Sequence, residues 1–178
     1  MTPDDMKSLV RSIPDFPKPG ILFRDITTLI GHGEGFAASV ALLADRAAEA
    51  GAQAIAGLEA RGFIFGAAVA ARLGLPFIPV RKPGKLPVPV LAIDYALEYG
   101  TDTLEVDPGA VAQSQKVVIV DDLIATGGTA CAALTLLRRA GAVVDEALFV
   151  IDLPDLGGAE RLRAAGVAVR PIMDFPGH

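Results

Sequence analysis

The sequence predicts an α/β fold in which a mostly parallel central sheet is flanked by helices. Two strand–helix–strand units lead to this prediction. Their strands and helices are Ala54 to Leu58, Phe63 to Leu73 and Phe77 to Val80, then Lys116 to Val120, Thr126 to Ala140 and Val143 to Leu153. Repeated units of this kind place helices on both faces of a parallel sheet. Such sheets bind ligands beyond the carboxyl ends of their strands, so the residues that follow each strand are the first candidates for a site.

The remaining segments are consistent with one domain covering residues 1–178. A short N-terminal helix precedes the segment Ser12 to Gly20, whose three prolines predict an extended arm. Apolar residues at helical spacing predict a helix from Glu34 to Ala50. Between the two units, the segment Arg81 to Val111 begins with prolines and then alternates, which predicts a mobile loop and a hairpin. Within it, the apolar stretch Val88 to Ile93 could form part of a lid or contact a neighbouring subunit.

Composition and charge exclude several classes of protein. The chain has 178 residues, 52% of them hydrophobic, which is ample for one packed core. It carries one cysteine, so an internal disulfide is excluded and a reducing compartment is expected. The first residues lack the apolar region of a secretory signal, and no apolar run reaches the roughly 18 residues of a membrane span, so we expect a cytoplasmic location. The net charge of −5 gives no general attraction to nucleic acid.

The most informative stretch is VVIVDDLIATGGT at residues 117–129. A buried strand ends at Asp121 and Asp122, and a short turn leads to a helix that opens with Thr126, Gly127, Gly128 and Thr129. Glycines allow backbone N–H groups to converge on an anion, and the helix dipole adds positive charge there, so we expect a phosphate in this turn. The two carboxylates suit vicinal hydroxyls or a hydrated Mg²⁺ nearby.

A structural reading of the same residues remains open, in which the acidic pair only ends a strand and the glycines only make a tight turn. Other phosphate motifs fit poorly. No Walker lysine follows the glycines, and their spacing is not GxGxxG.

This stretch resembles the phosphoribosyl pyrophosphate signature of type I phosphoribosyltransferases. In that family the acidic pair addresses the ribose hydroxyls and the loop, here Ala125 to Thr129, binds the 5-phosphate. The signature also occurs in non-enzymatic regulators. Four further blocks resemble the adenine phosphoribosyltransferase family, namely FPKPGILFRDIT at 16–27, GLEARGFIFG at 57–66, RKPGKLP at 81–87 and LEYGTDTLEV at 97–106.

The resemblance implies a type I phosphoribosyltransferase fold with an N-terminal hood, formed by about residues 12–30, and a flexible loop. It implies transfer of the phosphoribosyl group of phosphoribosyl pyrophosphate to adenine, giving AMP and pyrophosphate in purine salvage. It also implies a homodimer and Mg²⁺ as cofactor. We expect the Mg²⁺ to be held mainly by substrate, near Asp121 and Asp122, and predict no direct protein ligand.

The same resemblance assigns residues to the base and to the leaving group. In the hood, Leu22, Phe23 and Arg24 correspond to the residues that contact adenine. After the first parallel strand, Glu59, Ala60 and Arg61 correspond to the loop that holds pyrophosphate, with Arg61 on the leaving group. The loop cations Arg81 and Lys85 are further candidates for pyrophosphate, and Lys82 is a weaker one. In the family some of these reach the neighbouring subunit's site.

Glu98 occupies the position of the family's proposed general acid or base at the purine ring. A carboxylate enclosed by apolar walls would have a raised pKa suited to proton exchange. Tyr95 and Tyr99 could shield the reaction from water. Purely structural or surface roles remain open for some of these side chains. Phe23 could fill a core position, Glu98 could be a surface residue and the loop lysines could be solvated.

The cysteine and the two histidines do not indicate chemistry. Cys131 lies at helical spacing with Leu134, which favours a packing role, and neither His32 nor His178 has partners for zinc. Two other functions stay open at this point. One is a regulator that senses phosphoribosyl pyrophosphate and binds nucleic acid, which would require a basic surface or an added DNA-binding motif. The other is a transferase for hypoxanthine, guanine or xanthine.

Overall fold

The structure is a computed structural model that describes residues 1–97 and 99–177. Its strands and helices follow one another in an alternating order typical of α/β proteins. In chain order they are α1 (Pro3–Ser8), β1 (Arg11–Pro14), β2 (Leu22–Asp25), α2 (Thr27–Ile30), α3 (Gly33–Glu49), β3 (Ala54–Leu58), α4 (Arg61–Leu73), β4 (Phe77–Val80), β5 (Leu91–Ala96), β6 (Thr101–Val106), β7 (Lys116–Ile124), α5 (Gly128–Arg139), β8 (Val143–Asp152), α6 (Gly158–Ala164) and β9 (Ala168–Asp174).

A five-stranded parallel sheet forms the centre of the molecule, with the strand order β4-β3-β7-β8-β9. The predicted α/β fold with a parallel sheet is therefore confirmed. From β3 the chain continues outward to β4, whereas β7 pairs on the other side of β3 and leads to β8 and β9. The strand order thus reverses between β3 and β7, and a crevice for ligand is expected at their carboxyl ends.

Apolar residues cover both faces of this sheet and form two core clusters. One cluster joins the sheet to α5, α6 and the β5–β6 hairpin, with Leu104, Leu136 and Phe149 among its fully buried members. The other joins the sheet to the N-terminal helices and α4, with Leu43 and Phe65 at its centre. Burial on both faces explains why the central strands are nearly continuous apolar runs.

Strand β7 and helix α5 differ at their ends from the prediction. The apolar run ends at Val120, but β7 continues to Ile124 because pairing with β8 continues, with Asp121 opposite Phe149 and Ile124 opposite Asp152. The acidic pair therefore lies within the strand and does not follow it. Helix α5 begins at Gly128, two residues later than predicted. Gly127 has a φ of 82°, which is outside the helical region, so the residues before Gly128 form a loop.

Two small antiparallel sheets lie outside the central one. β1 and β2 form the first, in the predicted hood, and β5 and β6 form the second, in the predicted hairpin. In the apolar stretch Val88 to Ile93, Leu91 and Ile93 pack against the core, whereas Val88 is exposed. Among the described residues, none of the helices has the length and apolarity needed to cross a membrane.

Candidate active site

A cavity of about 260 Å³ opens at the point where the strand order reverses. Residues that follow β3 line one side of it, and the end of β7 with the start of α5 lines the other. Its lining consists of Glu59, Arg61, Lys82, Asp121, Asp122, Leu123, Ile124, Ala125, Thr126, Gly127, Gly128, Thr129 and Ala130. The cavity lies where parallel sheets commonly bind ligands. It brings together most of the residues that the sequence assigned to the sugar phosphate.

Residues 125–129, which we call the phosphate loop, form one wall of the cavity. The left-handed conformation of Gly127 turns the chain into α5, and the N–H of Cys131 donates to the Gly127 carbonyl at 2.9 Å to begin the helix. The loop carries only small side chains, so its backbone can approach a ligand closely. Free N–H groups at the amino end of a helix make this wall suitable for an anion such as a phosphate.

Asp121 and Asp122 both line the cavity and are joined by a hydrogen bond. The N–H of Asp122 donates to Oδ1 of Asp121 at 2.8 Å, and Nε of Arg61 lies 2.8 Å from Oδ2 of Asp122. Burial raises the pKa of Asp121 well above its usual value, and the neighbouring carboxylate raises it further. Burial also raises the pKa of Asp122, although Arg61 opposes this shift. Both carboxyl groups are therefore largely removed from water at the edge of the cavity, which disfavours their ionised forms.

The residues that follow β3 and β4 place one cation at the cavity and another beside it. The side chain of Arg61, at the start of α4, is half-exposed and lines the cavity. Arg81 is not part of the lining. Its Nε donates to Oε1 of Glu59 at 2.7 Å, and its guanidinium lies 5.6 Å from the Phe63 ring centre. Ala60, joined to Glu59 by a cis peptide bond, is also outside the lining. Arg81 therefore holds Glu59 in place in this structure.

Lys82 is the loop cation that lines the cavity, although the sequence ranked it below Arg81 and Lys85. Lys85 is exposed and is not part of the lining. Nζ of Lys82 forms an ion pair with Asp102 on β6 and donates to the Tyr95 hydroxyl at 3.2 Å. Burial acts to lower the pKa of Lys82, but these hydrogen bonds outweigh it and raise the pKa. Lys82 therefore carries its positive charge at the edge of the cavity.

Tyr95 connects the β5–β6 hairpin to the phosphate loop. Its hydroxyl donates to Asp102 at 3.2 Å and accepts from the Thr129 hydroxyl at 3.4 Å. The sequence predicted a shielding role for Tyr95, and the structure places it against a residue that lines the cavity. The base of the hairpin is thus linked to the wall that is suited to bind phosphate.

The three hood residues predicted to contact the base lie together on β2, outside the lining of the cavity. Leu22, Phe23 and Arg24 are all half-buried. The Phe23 ring packs edge-on against Phe16 with ring centres 5.1 Å apart. Because β1 pairs with β2 and fixes this strand, the hood has a defined shape in the structure.

Arg24 is fixed by the C-terminal tail. Its guanidinium lies 4.5 Å from the ring centre of Phe175, and Nη2 donates to the Pro176 carbonyl at 3.1 Å. Nη1 donates to the Ser12 hydroxyl at 2.5 Å. The side chain is therefore held by contacts within the protein, and the tail acts as a support for the hood.

Tyr99, at the tip of the hairpin, is 77% exposed, and Nζ of Lys18 in the hood lies 5.0 Å from its ring centre. The tip therefore approaches the hood. Glu98 and His178 lie outside the described residues, so the role predicted for Glu98 remains a prediction.

The other polar side chains singled out in the sequence have local roles. Cys131 is half-buried against the core, and burial raises the pKa of its thiol. Nδ1 of His32 accepts the Gly35 N–H at 3.1 Å and so caps the amino end of α3. Within residues 1–97 and 99–177, no three His, Cys, Asp or Glu side chains are grouped to hold a metal ion.

Two participants were not identified from the sequence. Asp102 on β6 forms an ion pair with Lys82, which lies in the loop before β5. An isolated aspartate among alternating residues carries no signal of such a partner. Arg161 on α6 donates from Nη1 to the Thr126 carbonyl at 2.8 Å, 35 residues away along the chain. By contrast, the sequence could have identified Lys82 as a residue of the cavity. It lies just after the carboxyl end of β4, as Arg61 lies just after that of β3.

Known proteins share both the sequence and the fold. The phosphoribosyl transferase domain model matches residues 30–156. An adenine phosphoribosyltransferase of Novosphingobium aromaticivorans is 72% identical over 178 residues, which is 100% of both chains.

Solved structures agree with this. An adenine phosphoribosyltransferase of Thermoanaerobacter pseudethanolicus has a TM-score of 0.92 at 46% identity, covering 98% of this chain and 100% of its own. The Saccharomyces cerevisiae enzyme, complexed with D-2,5-dideoxy-2,5-imino-altritol 1,6-bisphosphate and adenine, has a TM-score of 0.90 at 36% identity and covers 96% of this chain and 98% of its own. The chain therefore belongs to the phosphoribosyltransferase family, and within it to the adenine phosphoribosyltransferases.

Proposed function

We propose that this protein transfers the phosphoribosyl group of phosphoribosyl pyrophosphate to adenine, giving AMP and pyrophosphate in purine salvage. The observation that carries the proposal is one cavity in which backbone amides of the phosphate loop lie beside the Asp121–Asp122 pair. A phosphate needs the first group and ribose hydroxyls need the second. The full-length identity to an adenine phosphoribosyltransferase supports adenine as the base.

The phosphate loop binds the 5-phosphate in this proposal, through N–H groups of residues 125–129. Asp121 and Asp122 accept hydrogen bonds from the two ribose hydroxyls. Their raised pKa values in the free protein follow from burial beside each other, so hydroxyl donors at this position replace hydrogen bonds to water that burial removed. The sugar is thereby held at both ends, which fixes the orientation of the carbon that reacts.

The donors at the cavity fit Mg²⁺ as a cofactor that is shared with the substrate. Mg²⁺ keeps several of its waters when it binds substrate phosphates, and Asp121 and Asp122 would accept hydrogen bonds from those waters while substrate oxygens hold the ion. When bound, Mg²⁺ would supply positive charge at the pyrophosphate and ribose oxygens. The protein's task is then to hold the acidic pair and its shell of water beside the substrate.

The reaction is a displacement at the anomeric carbon through an oxocarbenium-like transition state. The bond from this carbon to the pyrophosphate oxygen breaks, and pyrophosphate leaves with the electron pair. A bond to N9 of adenine forms, and the purine loses a proton. Arg61 and Lys82 are the cations at the cavity, so we assign them to the negative charge that develops on pyrophosphate. Arg61 can do so while Nε keeps its contact to Asp122, because a guanidinium has five N–H donors.

The base lies under the hood in this proposal, against Leu22, Phe23 and Arg24. A flat, neutral base needs apolar walls and an edge of polar groups, which this short strand can provide. Glu98 is assigned as the group that exchanges a proton with the purine ring. Tyr95 and Tyr99 shield the site when the hairpin and hood approach each other.

We further propose a homodimer in the cytoplasm. Neither Lys85 nor Arg81 lines the cavity of its own chain, so both remain candidates for a partner's site. Ile64 on α4 and Val88 are large exposed apolar residues that an interface would cover. The single cysteine fits a reducing compartment. Light scattering at micromolar concentration tests the dimer, and a mass near the 18.4 kDa of one chain would contradict it.

The function is tested by turnover assays with phosphoribosyl pyrophosphate, Mg²⁺ and each of adenine, hypoxanthine, guanine and xanthine. We expect AMP and pyrophosphate in equal amounts from adenine, and at least tenfold lower kcat/KM for the other bases. The Asp121→Asn, Asp122→Asn double variant is the inactive control. Preference for a 6-oxo base would contradict the base assignment, and no turnover with any base would favour a sensor of phosphoribosyl pyrophosphate.

A further inference from the structure

Carbonyl groups at the end of β7 and in the phosphate loop accept hydrogen bonds from residues between the end of β8 and the start of α6. The N–H of Leu153 donates to the Ile124 carbonyl at 3.0 Å, and the N–H of Gly158 donates to the Ala125 carbonyl at 3.0 Å. These two bonds come from the backbone. They continue the contact between β7 and β8 beyond the end of the sheet and into the loop.

The next carbonyl, that of Thr126, is bonded by a side chain. Nη1 of Arg161 on α6 lies 2.8 Å from this oxygen. Arg161 is otherwise exposed, and its own N–H donates to the Gly157 carbonyl at 3.2 Å within the first turn of the helix. A cation on the surface is thus directed at the backbone of the loop instead of at a carboxylate.

The loop and the start of α6 are packed without room for a side chain between them. A Cβ at Gly127 would lie 2.8 Å from Cα of Gly158, and a Cβ at Gly158 would lie 2.4 Å from the Ala125 oxygen. Real Cβ atoms do not approach other atoms so closely. This side of the loop is therefore packed against the start of α6, whose residues donate hydrogen bonds to the Ala125 and Thr126 carbonyls.

The fixed carbonyls determine where the N–H groups of the loop point. In a trans peptide unit the C=O and the following N–H are coplanar and point in opposite directions. The Ala125 carbonyl is thus opposed to the N–H of Thr126, and the Thr126 carbonyl to the N–H of Gly127. Because Arg161 holds the Thr126 oxygen, the N–H of Gly127 points away from the Arg161 guanidinium, although the Gly127 nitrogen itself lies only 2.7 Å from where a Cβ at Gly158 would be. An anion site requires N–H groups turned this way.

We infer that Arg161 is a positioning residue for the 5-phosphate site, which acts by holding the Thr126 carbonyl and thereby orienting the adjoining peptide unit toward the ligand. Its positive charge adds to the field at the loop without touching the ligand. This inference rests on the proposed function, because it deepens the phosphate-binding role given there to the loop. It predicts that Arg161 matters for ligands that carry the phosphate and not for the base alone.

The test compares Arg161→Ala, Arg161→Gln and Arg161→Lys with the unaltered protein. Titration calorimetry measures the Kd for AMP and for adenine, and steady-state rates give kcat and the KM for phosphoribosyl pyrophosphate. For Arg161→Ala we expect the Kd for AMP and the KM to rise roughly tenfold, the size of one hydrogen bond to a charged group. The Kd for adenine and kcat should change less than about twofold, which is within ordinary scatter of surface variants. Arg161→Lys should recover part of the loss.

Arg163→Ala is the matched control, since Arg163 lies on the same helix and donates to the Val169 carbonyl at 3.2 Å and to Glu160, away from the loop. It removes the same charge and should leave AMP binding unchanged.

If all three Arg161 variants bind AMP as the unaltered protein does, the inference is wrong. An equal loss of adenine and AMP affinity would also overturn it, because that would indicate a general structural effect. If Arg161→Ala does not fold, the Gln and Lys variants decide by the same criteria. Turnover by the unaltered protein distinguishes failure of the proposed function from failure of the role given to Arg161. Its absence refutes the proposed function, whereas normal turnover with unchanged variants refutes only the role of Arg161.

Discussion

The substitution Gly62→Ala tests whether the carboxylate of Asp121 must stay where the structure places it. A Cβ built at Gly62 would lie 2.5 Å from Oδ1 and 3.2 Å from Cγ of Asp121, and 3.3 Å from the Val120 oxygen. Gly62 lies in the first turn of α4 and is not among the glycines with positive φ. Alanine therefore fits the backbone conformation, and the substitution perturbs the site by steric contact alone.

Two opposing contributions set the expected size of the effect. Alanine in place of glycine favours a helix by up to about 1 kcal/mol. Against this, Oδ1 of Asp121 has to move by roughly 1 Å to reach an ordinary contact distance. That movement weakens its hydrogen bond from the Asp122 N–H, now 2.8 Å long. A hydrogen bond to a charged group contributes about 1.5–3 kcal/mol, so we expect a net loss of stability of about 1 kcal/mol.

The affinity for substrate should change more than the free energy of unfolding, because the displaced carboxylate would no longer accept a hydrogen bond from the ribose. Loss of one charged hydrogen bond corresponds to a rise in KM for phosphoribosyl pyrophosphate of about 10- to 100-fold. Initial-rate kinetics measure this rise, and urea unfolding measures the change in stability. Gly33→Ala is the control, since a Cβ there would meet no heavy atom within 4 Å. It should leave KM unchanged.

A double-mutant cycle decides whether the clash is with Asp121. In the Asp121→Ala background the carboxylate is absent, so Gly62→Ala should no longer destabilise the protein and should show the helix-favouring gain instead. If Gly62→Ala lowers the stability equally in both backgrounds, the clash lies elsewhere, and the close contact between Gly62 and the Asp121 carboxylate is refuted.

Three further predictions concern the carboxylates and the hood. Hydrogen bonding by Thr27 lowers the pKa of Asp25 to about 2 in the folded protein. Its stabilising effect is therefore fully present above the unfolded pKa and is lost as the pH falls through the folded pKa. Asp25→Asn should therefore lower the Tm at pH 7, and the difference should narrow below pH 4. Burial raises the pKa of Asp121 above its unfolded value, so this carboxyl group lowers the stability of the fold as the pH rises above the unfolded pKa, and the loss disappears as the pH falls. Asp121→Asn should raise the Tm while raising KM for phosphoribosyl pyrophosphate. Phe175→Leu removes the ring that lies 4.5 Å from Arg24, so KM for adenine should rise about 2- to 5-fold with KM for phosphoribosyl pyrophosphate unchanged.

Local patterns in the sequence predicted most of the central sheet. The ends of β3 and β4 agree with the prediction, because each strand is a short apolar run closed by polar or turn residues. The end of β7 was wrong by four residues, since pairing with β8 continues past the apolar run and no local property of Asp121 reveals this. Strand β9 was not predicted. Arg170 and Pro171 interrupt its apolar pattern, and proline is tolerated there because β9 is at the edge of the sheet.

Contacts between distant segments account for the parts of the site that the sequence did not predict. The motif at 117–129 identified most of the residues that line the cavity, because the phosphate loop and the acidic pair are contiguous in the chain. The neighbours of Arg24 are different, since the Pro176 carbonyl that fixes its guanidinium is 152 residues away. Lys82 and Asp102 are likewise brought together by a contact between distant segments, the antiparallel bridge between Arg81 and Glu105 on β6. Such partners depend on tertiary structure, and no periodicity or motif encodes them.

The site combines several arrangements that each reduce stability when taken alone. Two neighbouring carboxylates are buried, and burial raises the pKa of each. Gly62 leaves space for one of them at the start of a helix where alanine would be more favourable. Gly127 and Gly158 meet backbone to backbone, where no side chain contributes to packing. A sequence selected only for stability would replace these residues. Their joint presence around one cavity is explained if the cost is offset when a ligand with both a phosphate and vicinal hydroxyls binds, because only such a ligand engages all of them together.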